Sequence, residues 1–389
     1  MLEPVDLIEN AEIVLPDRVQ RGWVRLEDGR IDAIGEGDAP RALRPASGEG
    51  RRVDLRGALL IPGLVELHTD HLEAHYIPRP KVRWHPLGAV LAYDAQIAAS
   101  GITTVFDSLR AGSDIDGGGL GGELFDLAEA IDAARLDDLL RAEHRTHLRC
   151  EIPAPDVVEM VERFCARYPV DLLSLMDHTP GQRQFRDLEK YFIYARRSGK
   201  SNEELKALTA LRMETGAERA AQNRPPLVAL AERHGIALAS HDDTTLADVA
   251  QSVAEHVGIA EFPTTREAAA ESHARGIRVM MGAPNLIRGG SHSGNVAAEE
   301  LARHGLLDIL SSDYVPGSLL LAAFDLPERV PGITLPQAIA TVTANPARAT
   351  GLDDRGVIAP GQRADLVHVT LAGGVPVVRQ VWRQGRRVA

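Results

Sequence analysis

Cysteine is almost missing from this chain of 389 residues: Cys150 and Cys165 are the only two. Two thiols build neither a disulfide framework nor a cysteine-based zinc site, and they favour a reducing, intracellular location. Also missing are a basic, apolar, small-residue leader and any uninterrupted apolar segment of membrane-spanning length. The expectation is a soluble, cytoplasmic protein. Positive charge is in deficit, 43 Lys and Arg against 55 Asp and Glu, and the net charge of -12 argues against non-specific nucleic-acid binding. One pocket of an acidic protein can still be locally basic, so an anionic substrate stays compatible with this balance. The cluster Gly117-Gly118-Gly119 and Gly121-Gly122 lacks the strand-to-helix frame and the Lys-Ser/Thr pair of a P-loop, and reads as a flexible loop.

What the sequence does contain is a repeated pattern of short apolar runs that end in polar residues. At 389 residues, 44% of them hydrophobic, the chain is long enough for a large barrel with an accessory module. Ile61 to Leu67 ends at His68, Ile102 to Phe106 at Asp107, His147 to Cys150 at Glu151, and Leu172 to Met176 at Asp177-His178. Ile236 to Ala239 ends at Ser240-His241-Asp242-Asp243, Ile277 to Met281 leads to Asn285, and Leu306 to Leu310 ends at Ser311-Ser312-Asp313. With a weaker run at Ile259 to Phe262 there are eight, separated by helix-like stretches. Buried parallel strands read as continuous apolar runs, so the pattern predicts a (β/α)8 barrel. Polar residues at the carboxyl ends of such strands stand where barrel active sites are built.

Both chain ends read as β-structure. Leu7-Ile8, Glu12 to Leu15, Gly22 to Leu26 and Ile31 to Ile34 read as strands, with Asp28-Gly29 as a hairpin turn. Asp365 to Val369 and Val377 to Val381 flank Gly373-Gly374 in the same manner. They predict one small sheet domain assembled from both termini; two unrelated hairpins are the alternative. Between His178 and Ile236 lies an insertion rich in Arg, Lys and Glu, in which Ser201-Asn202-Glu203-Glu204 reads as a helix start leading to Ala221. It is either a solvated helical pair or a cover over the barrel mouth.

The strand-end residues form a chemical set. His68 and Asp70 alternate along one strand and can face the same way, so an imidazole and a carboxylate can share one metal ion. Glu151, His178, His241 and Asp313 join them. Such nitrogen and oxygen donors suit one or two divalent ions, zinc-like, with manganese or iron also accepted. Bound water then becomes a nucleophile near neutral pH, and Asp313 is placed to ligate and to accept its proton. The expected reaction class is hydrolysis.

Several motifs carry a resemblance. Ile61-Pro-Gly-Leu-Val-Glu-Leu-His-Thr-Asp, the strand-end Glu151, His178, His241 and Asp313, Thr343-Ala-Asn-Pro-Ala-Arg348 and Gly361-Gln-Arg-Ala-Asp-Leu366 resemble the amidohydrolase superfamily from end to end. Within it, His68-Thr-Asp-His-Leu-Glu73, Pro78-Arg-Pro80, Met176-Asp-His-Thr-Pro-Gly-Gln-Arg-Gln-Phe185, Ser240-His-Asp-Asp243, Gly282-Ala-Pro-Asn285, Arg288-Gly-Gly-Ser-His-Ser-Gly-Asn295 and Ser311-Ser-Asp-Tyr314 resemble the PhnM-like branch of phosphonate metabolism. The resemblance implies a barrel at 61–344 with a helical insertion near 180–230, and a β-sandwich from 1–60 and 345–389. It also implies α-D-ribose 1-methylphosphonate 5-triphosphate diphosphatase activity, with pyrophosphate and a 5-phosphate as products and the carbon–phosphorus lyase pathway as destination. The superfamily's usual His-X-His opening is His68-Thr-Asp70 here, which separates the chain from ordinary deaminases and dihydroorotases.

PhnM-like sequences commonly carry Asn where this chain has His71. An imidazole there is an extra ligand, a phosphate contact, or a hydrogen-bonding neighbour of the ligands, the reading preferred for both His71 and Asp242. Arg79, Lys81 and Arg83, then Arg183, Arg186 and Lys190, then Arg288 and His292, lie in loops after strands, and Arg donors match phosphate oxygens. Arg79, Arg183, Asn285, Arg288 and His292 are the expected substrate contacts, although any single cation among them also reads as solvated surface charge. Of Asp242 and Asp243, one is expected to orient a ligand histidine and the other to cap a helix over Thr244 to Ser252. His144, His147, His234, His256, His273, His304 and His368 read as surface or hydrogen-bonded structural residues. An amide-cleaving relative, or a non-catalytic assembly protein on the same barrel, are the competing functions; homo-oligomerisation is left open.

Overall fold

The computed structural model describes residues 5–43, 51–79, 82–113, 123–180, 201–291 and 294–389. The chain forms two compact units, 1–106 with 133–145 and 308–389, and 107–132 with 146–307.

The first unit contains the sheet made by both termini. Its strands β1 (Leu7–Val14), β2 (Val19–Glu27), β3 (Arg30–Glu36), β4 (Arg52–Asp54) and β5 (Leu59–Pro62) come from the amino end; β14 (Leu366–Ala372), β15 (Val375–Arg383) and β16 (Arg386–Arg387) come from the carboxyl end. They lie in the order β16-β15-β14-β5-β1-β2-β3, with β4 also on β1. The joint is β5, antiparallel to β14 and parallel to β1. The two ends therefore form one sheet and not two separate hairpins. Two runs expected as separate strands, Leu7-Ile8 and Glu12 to Leu15, are one strand, because the ladder slips between Ile8 and Ala11 while Asn10 takes φ 50°. A bulge of this kind bends a strand without ending it. Asp28 and Gly29, at φ 49° and 75°, make the expected tight turn between β2 and β3. Ile8, Ile13, Val24, Leu60, Leu366 and Trp382 form its apolar core.

Eight further strands are β6 (Leu64–Thr69), β7 (Ile102–Ala111), β8 (Glu143–Glu151), β9 (Leu172–Met176), β10 (Ala237–His241), β11 (Ile259–Glu261), β12 (Arg278–Gly282) and β13 (Ile309–Ser311). They form one sheet in sequence order, and a parallel bridge between Thr69 and Asp313 joins its first and last members. This is the parallel barrel. The apolar run from Ile61 is divided between the two sheets at Gly63, where a Cβ would collide with the Thr103 side chain. Asp107, expected as a strand end, lies inside β7, which continues to Ala111 and buries Asp107 and Ser108.

Ser201 caps a helix over Asn202–His234, with the reciprocal Glu204 bonds of a capping box. The helix continues past Ala221 and through Pro225 and Pro226, ending at Gly235 in the left-handed conformation. Residues 181–200 and the glycine cluster at 117–122 lie outside the described residues. No helix among the described residues is long and apolar enough to cross a membrane.

Candidate metal centre

In the first unit, β6 is buried along its whole length and delivers His68 at its carboxyl end. Asp70 follows at the start of the helix His71–Tyr76, and its side chain is not used as the helix cap. Glu66 lies between these elements and the end of β13. Its Oε1 accepts from the His68 backbone N–H at 2.7 Å and its Oε2 from the Ser312 N–H at 2.6 Å. Burial pushes the Glu66 carboxyl up to about 7, an effect that its hydrogen bonds oppose and the nearby Asp313 reinforces. Asp313 donates its backbone N–H to the His68 carbonyl at 3.1 Å and takes φ 54°. A non-glycine residue in that region is uncommon, and such geometry clusters at functional sites. His68, Asp70 and Asp313 are therefore tied to adjoining backbone.

His71 is held at both ring nitrogens. Nδ1 lies 3.1 Å from the Tyr314 carbonyl and Nε2 lies 3.0 Å from Gln96 Oε1, which also meets His75 Nε2 at 3.0 Å. A backbone carbonyl only accepts and cannot turn, whereas the Gln96 side-chain amide can rotate to present its N–H₂, so the neutral ring carries its proton on Nδ1. Tyr314 directly follows Asp313, so His71 braces the segment that presents that carboxylate.

In the second unit, His178 follows β9, while His241 and Glu151 end β10 and β8. His178 Nδ1 meets Glu151 Oε1 at 2.5 Å. Burial favours a neutral Glu151, but the His178 charge overrides it, helped by Arg110 and Arg149, and holds the carboxyl at about 2. Burial likewise lowers His178, and Glu151 with Asp242 more than reverses this, leaving it raised. His241 Nδ1 meets Glu261 Oε2 at 3.0 Å. Asp242 Oδ2 lies 3.5 Å from His241 Nε2 and 4.0 Å from His178 Nε2. The ligand atoms of His178, His241 and Asp242 all fall within 4.8 Å of one another, a grouping able to hold a metal ion. Behind it, His147 is fully buried, with Nε2 2.9 Å from Ser174 Oγ and 3.6 Å from Glu261 Oε1, and Nδ1 3.3 Å from Ser108 Oγ.

Other expected residues fare differently. Arg79 and Arg288 are exposed, with Arg288 ending the helix Ala283–Arg288. Asn285 uses its amide internally: Nδ2 donates to the Val296 carbonyl and Oδ1 accepts from the Ala298 N–H. Arg183, Arg186, Lys190, Lys81 and His292 lie outside the described residues. Asp243 is not the cap of the helix that follows it. Thr245 caps Leu246–Ala254 with a reciprocal Asp248 bond, while Asp243 accepts from Ser252 Oγ at 2.9 Å. Glu66, Glu261 and Arg110 were not among the expected site residues; the two glutamates show in the sequence as acids inside apolar runs, where an ionisable group needs a specific partner.

Residues 177–389 match the model of the amidohydrolase family. Over 386 residues the chain is 46% identical to the α-D-ribose 1-methylphosphonate 5-triphosphate diphosphatase of Escherichia coli (strain K12), an alignment that spans 98% of this chain and 100% of that one. Among solved structures, N-isopropylammelide isopropylaminohydrolase from Burkholderia multivorans superposes with a TM-score of 0.66 at 19% identity, covering 99% of this chain and 98% of the other. The 5-methylcytosine deaminase from Klebsiella pneumoniae gives 0.66 at 16% identity, covering 98% of both. At such identities these two share the fold alone. The chain belongs to the amidohydrolase family, on its PhnM-like branch, and is a hydrolase.

Proposed function

We propose that this chain hydrolyses α-D-ribose 1-methylphosphonate 5-triphosphate to the 5-phosphate and pyrophosphate, in the cytoplasm, and supplies the carbon–phosphorus lyase pathway. The observation that carries this reading is the identity of 46% to the Escherichia coli diphosphatase across 98% of this chain and 100% of that one.

The donor set is His68, Asp70, Glu151, His178, His241 and Asp313, taking one or two divalent ions, zinc first, with manganese or iron alternatives. Its chemistry fits such ions: the donors are imidazole and carboxylate, at strand ends. Cys150, buried with its thiol pushed well up by burial, offers no competing thiolate. When bound, the metal supplies a Lewis acid for phosphoryl oxygens and lowers the pKa of the attacking water. Asp313 accepts the proton of that water at its carboxylate and passes it to the departing pyrophosphate. Its backbone N–H bond to His68 and the His71 brace on Tyr314 keep the carboxylate in place. Arg79, Arg183, Arg288 and His292 neutralise the triphosphate, and Asn285 ties the helix that ends in Arg288 to the segment at Val296 and Ala298.

Phosphorus NMR of the products tests the reaction. Pyrophosphate and a 5-monophosphate appearing together are the expected result; stepwise release of orthophosphate would overturn it.

A further inference from the structure

We infer that Asp242 is a further metal ligand beside the donors proposed above, and that Glu261, together with the Oε1 of the donor Glu151, fixes the two imidazoles bound beside it. The inference rests on the proposal that the strand-end residues hold a divalent ion. It adds a donor that the sequence pattern assigned only to a supporting role.

Three features of the second unit converge on Asp242. First, both histidines are anchored through the same nitrogen: His178 Nδ1 on Glu151 and His241 Nδ1 on Glu261. A carboxylate on Nδ1 fixes the tautomer that carries its proton there and leaves the Nε2 lone pair for a metal. Second, both Nε2 atoms face the same oxygen. Asp242 Oδ2 is 3.5 Å from one and 4.0 Å from the other. These separations exceed an N–H···O hydrogen bond, which falls at about 2.7–3.2 Å. They approach the spacing of two atoms on one tetrahedral ion, which is about 3.3 Å for bonds near 2.0–2.1 Å. Third, the backbone is bent to put the carboxylate there. Asp242 takes φ 57°, is 2% exposed, and is pinned by its N–H to the Glu261 carbonyl at 2.9 Å.

The same peptide link couples the roles. Glu261 holds His241 through its side chain and Asp242 through its main chain, so one residue sets the position of two ligands. His147, 3.6 Å from the other Glu261 oxygen and bonded to Ser174, steadies that carboxylate from behind. The two imidazoles, each giving up any Nε2 proton to the ion that replaces it, and the Asp242 carboxylate form a donor set suited to zinc, manganese or iron.

The test uses the full chain, stripped of metal by a chelator and reloaded with zinc or with cobalt(II). Ions per chain, affinity by chelator competition, the cobalt visible spectrum and the melting temperature of the metal-free protein are measured. Two replacements suit the left-handed backbone at Asp242. Asn tolerates it while removing the charge, and Gly tolerates it while removing the side chain. Asp242→Asn is expected to weaken binding at least tenfold and Asp242→Gly more, both with an altered cobalt spectrum and a metal-free melting temperature near that of the parent. Glu261→Gln is expected to weaken binding by about 10- to 100-fold while preserving the shape of the cobalt spectrum, because the ligands themselves are unchanged. If the Asp242 variants bind as the parent does, with the same spectrum, the assignment is overturned. A lowered metal-free melting temperature with parental affinity would likewise make Asp242 structural. If the parent chain takes up no ion, the proposed function itself falls.

Discussion

Strand β8 begins and ends with a glutamate, and its two ends solve the same electrostatic problem with different partners. At the start, Glu143 is held by Arg355 at 2.8 Å and by Arg363, two buried arginines that are in turn bonded to Asp354 and Asp365. At the finish, Glu151 meets His178. Burial opposes ionisation at both, and both are nevertheless held at about 2, the first by arginines and the second chiefly by a histidine. An arginine keeps its charge at any accessible pH, whereas a histidine can lose its proton and offer the vacated nitrogen to a metal. The permanent cations stabilise; the conditional cation is available for chemistry. This matches the division of barrel faces, in which the carboxyl ends of the strands carry function and the amino ends carry stability.

The strongest challenge to that division is a strand-end change that leaves the fold intact. Asp313→Asn keeps the side-chain shape and a residue that tolerates φ 54°. Turnover is expected to fall by about 10³-fold or more, as for loss of a proton acceptor, with a melting temperature close to the parent's. Pyrophosphate release and thermal unfolding measure the two halves; near-parental turnover would remove Asp313 from its proposed role.

The opposite end should show the reverse pattern. Glu143→Gln leaves Arg355 and Arg363 buried without their shared carboxylate, and is expected to cost ~3 kcal/mol of stability while turnover per folded molecule is kept. The pH dependence has a defined sign. The Glu143 carboxyl is lowered on folding from an ordinary 4.5 to about 2. Its contribution is therefore present above pH 4.5 and is lost as the pH falls through about 2. Denaturant titrations of the metal-free parent and variant should differ most near neutrality and converge toward pH 2. A gap that stays constant across this range would mean the pair contributes by packing and not by charge.

Between these extremes lies Glu151→Gln. A glutamine oxygen still accepts from His178 Nδ1, but the carboxylate proposed as a donor loses its negative charge, so zinc affinity is expected to fall by at least about tenfold. Chelator competition measures it. A loss of stability like that of Glu143→Gln, with affinity unchanged, would erase the contrast between the two ends of β8.

The contrast also shows what can be read from the chain and what cannot. The eight barrel strands are visible because parallel strands buried on both faces need uninterrupted apolar side chains, and His68, His178, His241 and Asp313 stand out because they break those runs. Asp107 breaks a run as well, yet β7 continues past it. Strand continuation here depends on polar side chains accommodated inside the barrel, such as Ser108 beside His147, and that partner is 39 residues away. Glu66 and Glu261 do not show as site residues for the same reason: the groups that bond their carboxyls, Ser312 and His241, are distant in sequence. The helix after β10 forms where expected, but its cap differs for a local reason, since Thr245-Leu-Ala-Asp248 spells a capping box that outcompetes Asp243.

His71 gives the mildest and most discriminating variant. Its Nδ1 braces the Tyr314 carbonyl next to Asp313, and its Nε2 reaches the Gln96 amide. In His71→Asn, the amide N–H₂ can replace the donor to Tyr314 while the Gln96 contact is lost. The expected change in kcat/KM is within about threefold, with metal content unchanged, whereas His71→Ala, lacking any donor, should lower kcat by about tenfold with little effect on KM. A histidine that bound the ion would instead lose metal in both variants, and one that bound phosphate would raise KM in both. The brace alone predicts recovery by asparagine, because only the bond to the Tyr314 carbonyl bears on where Asp313 sits.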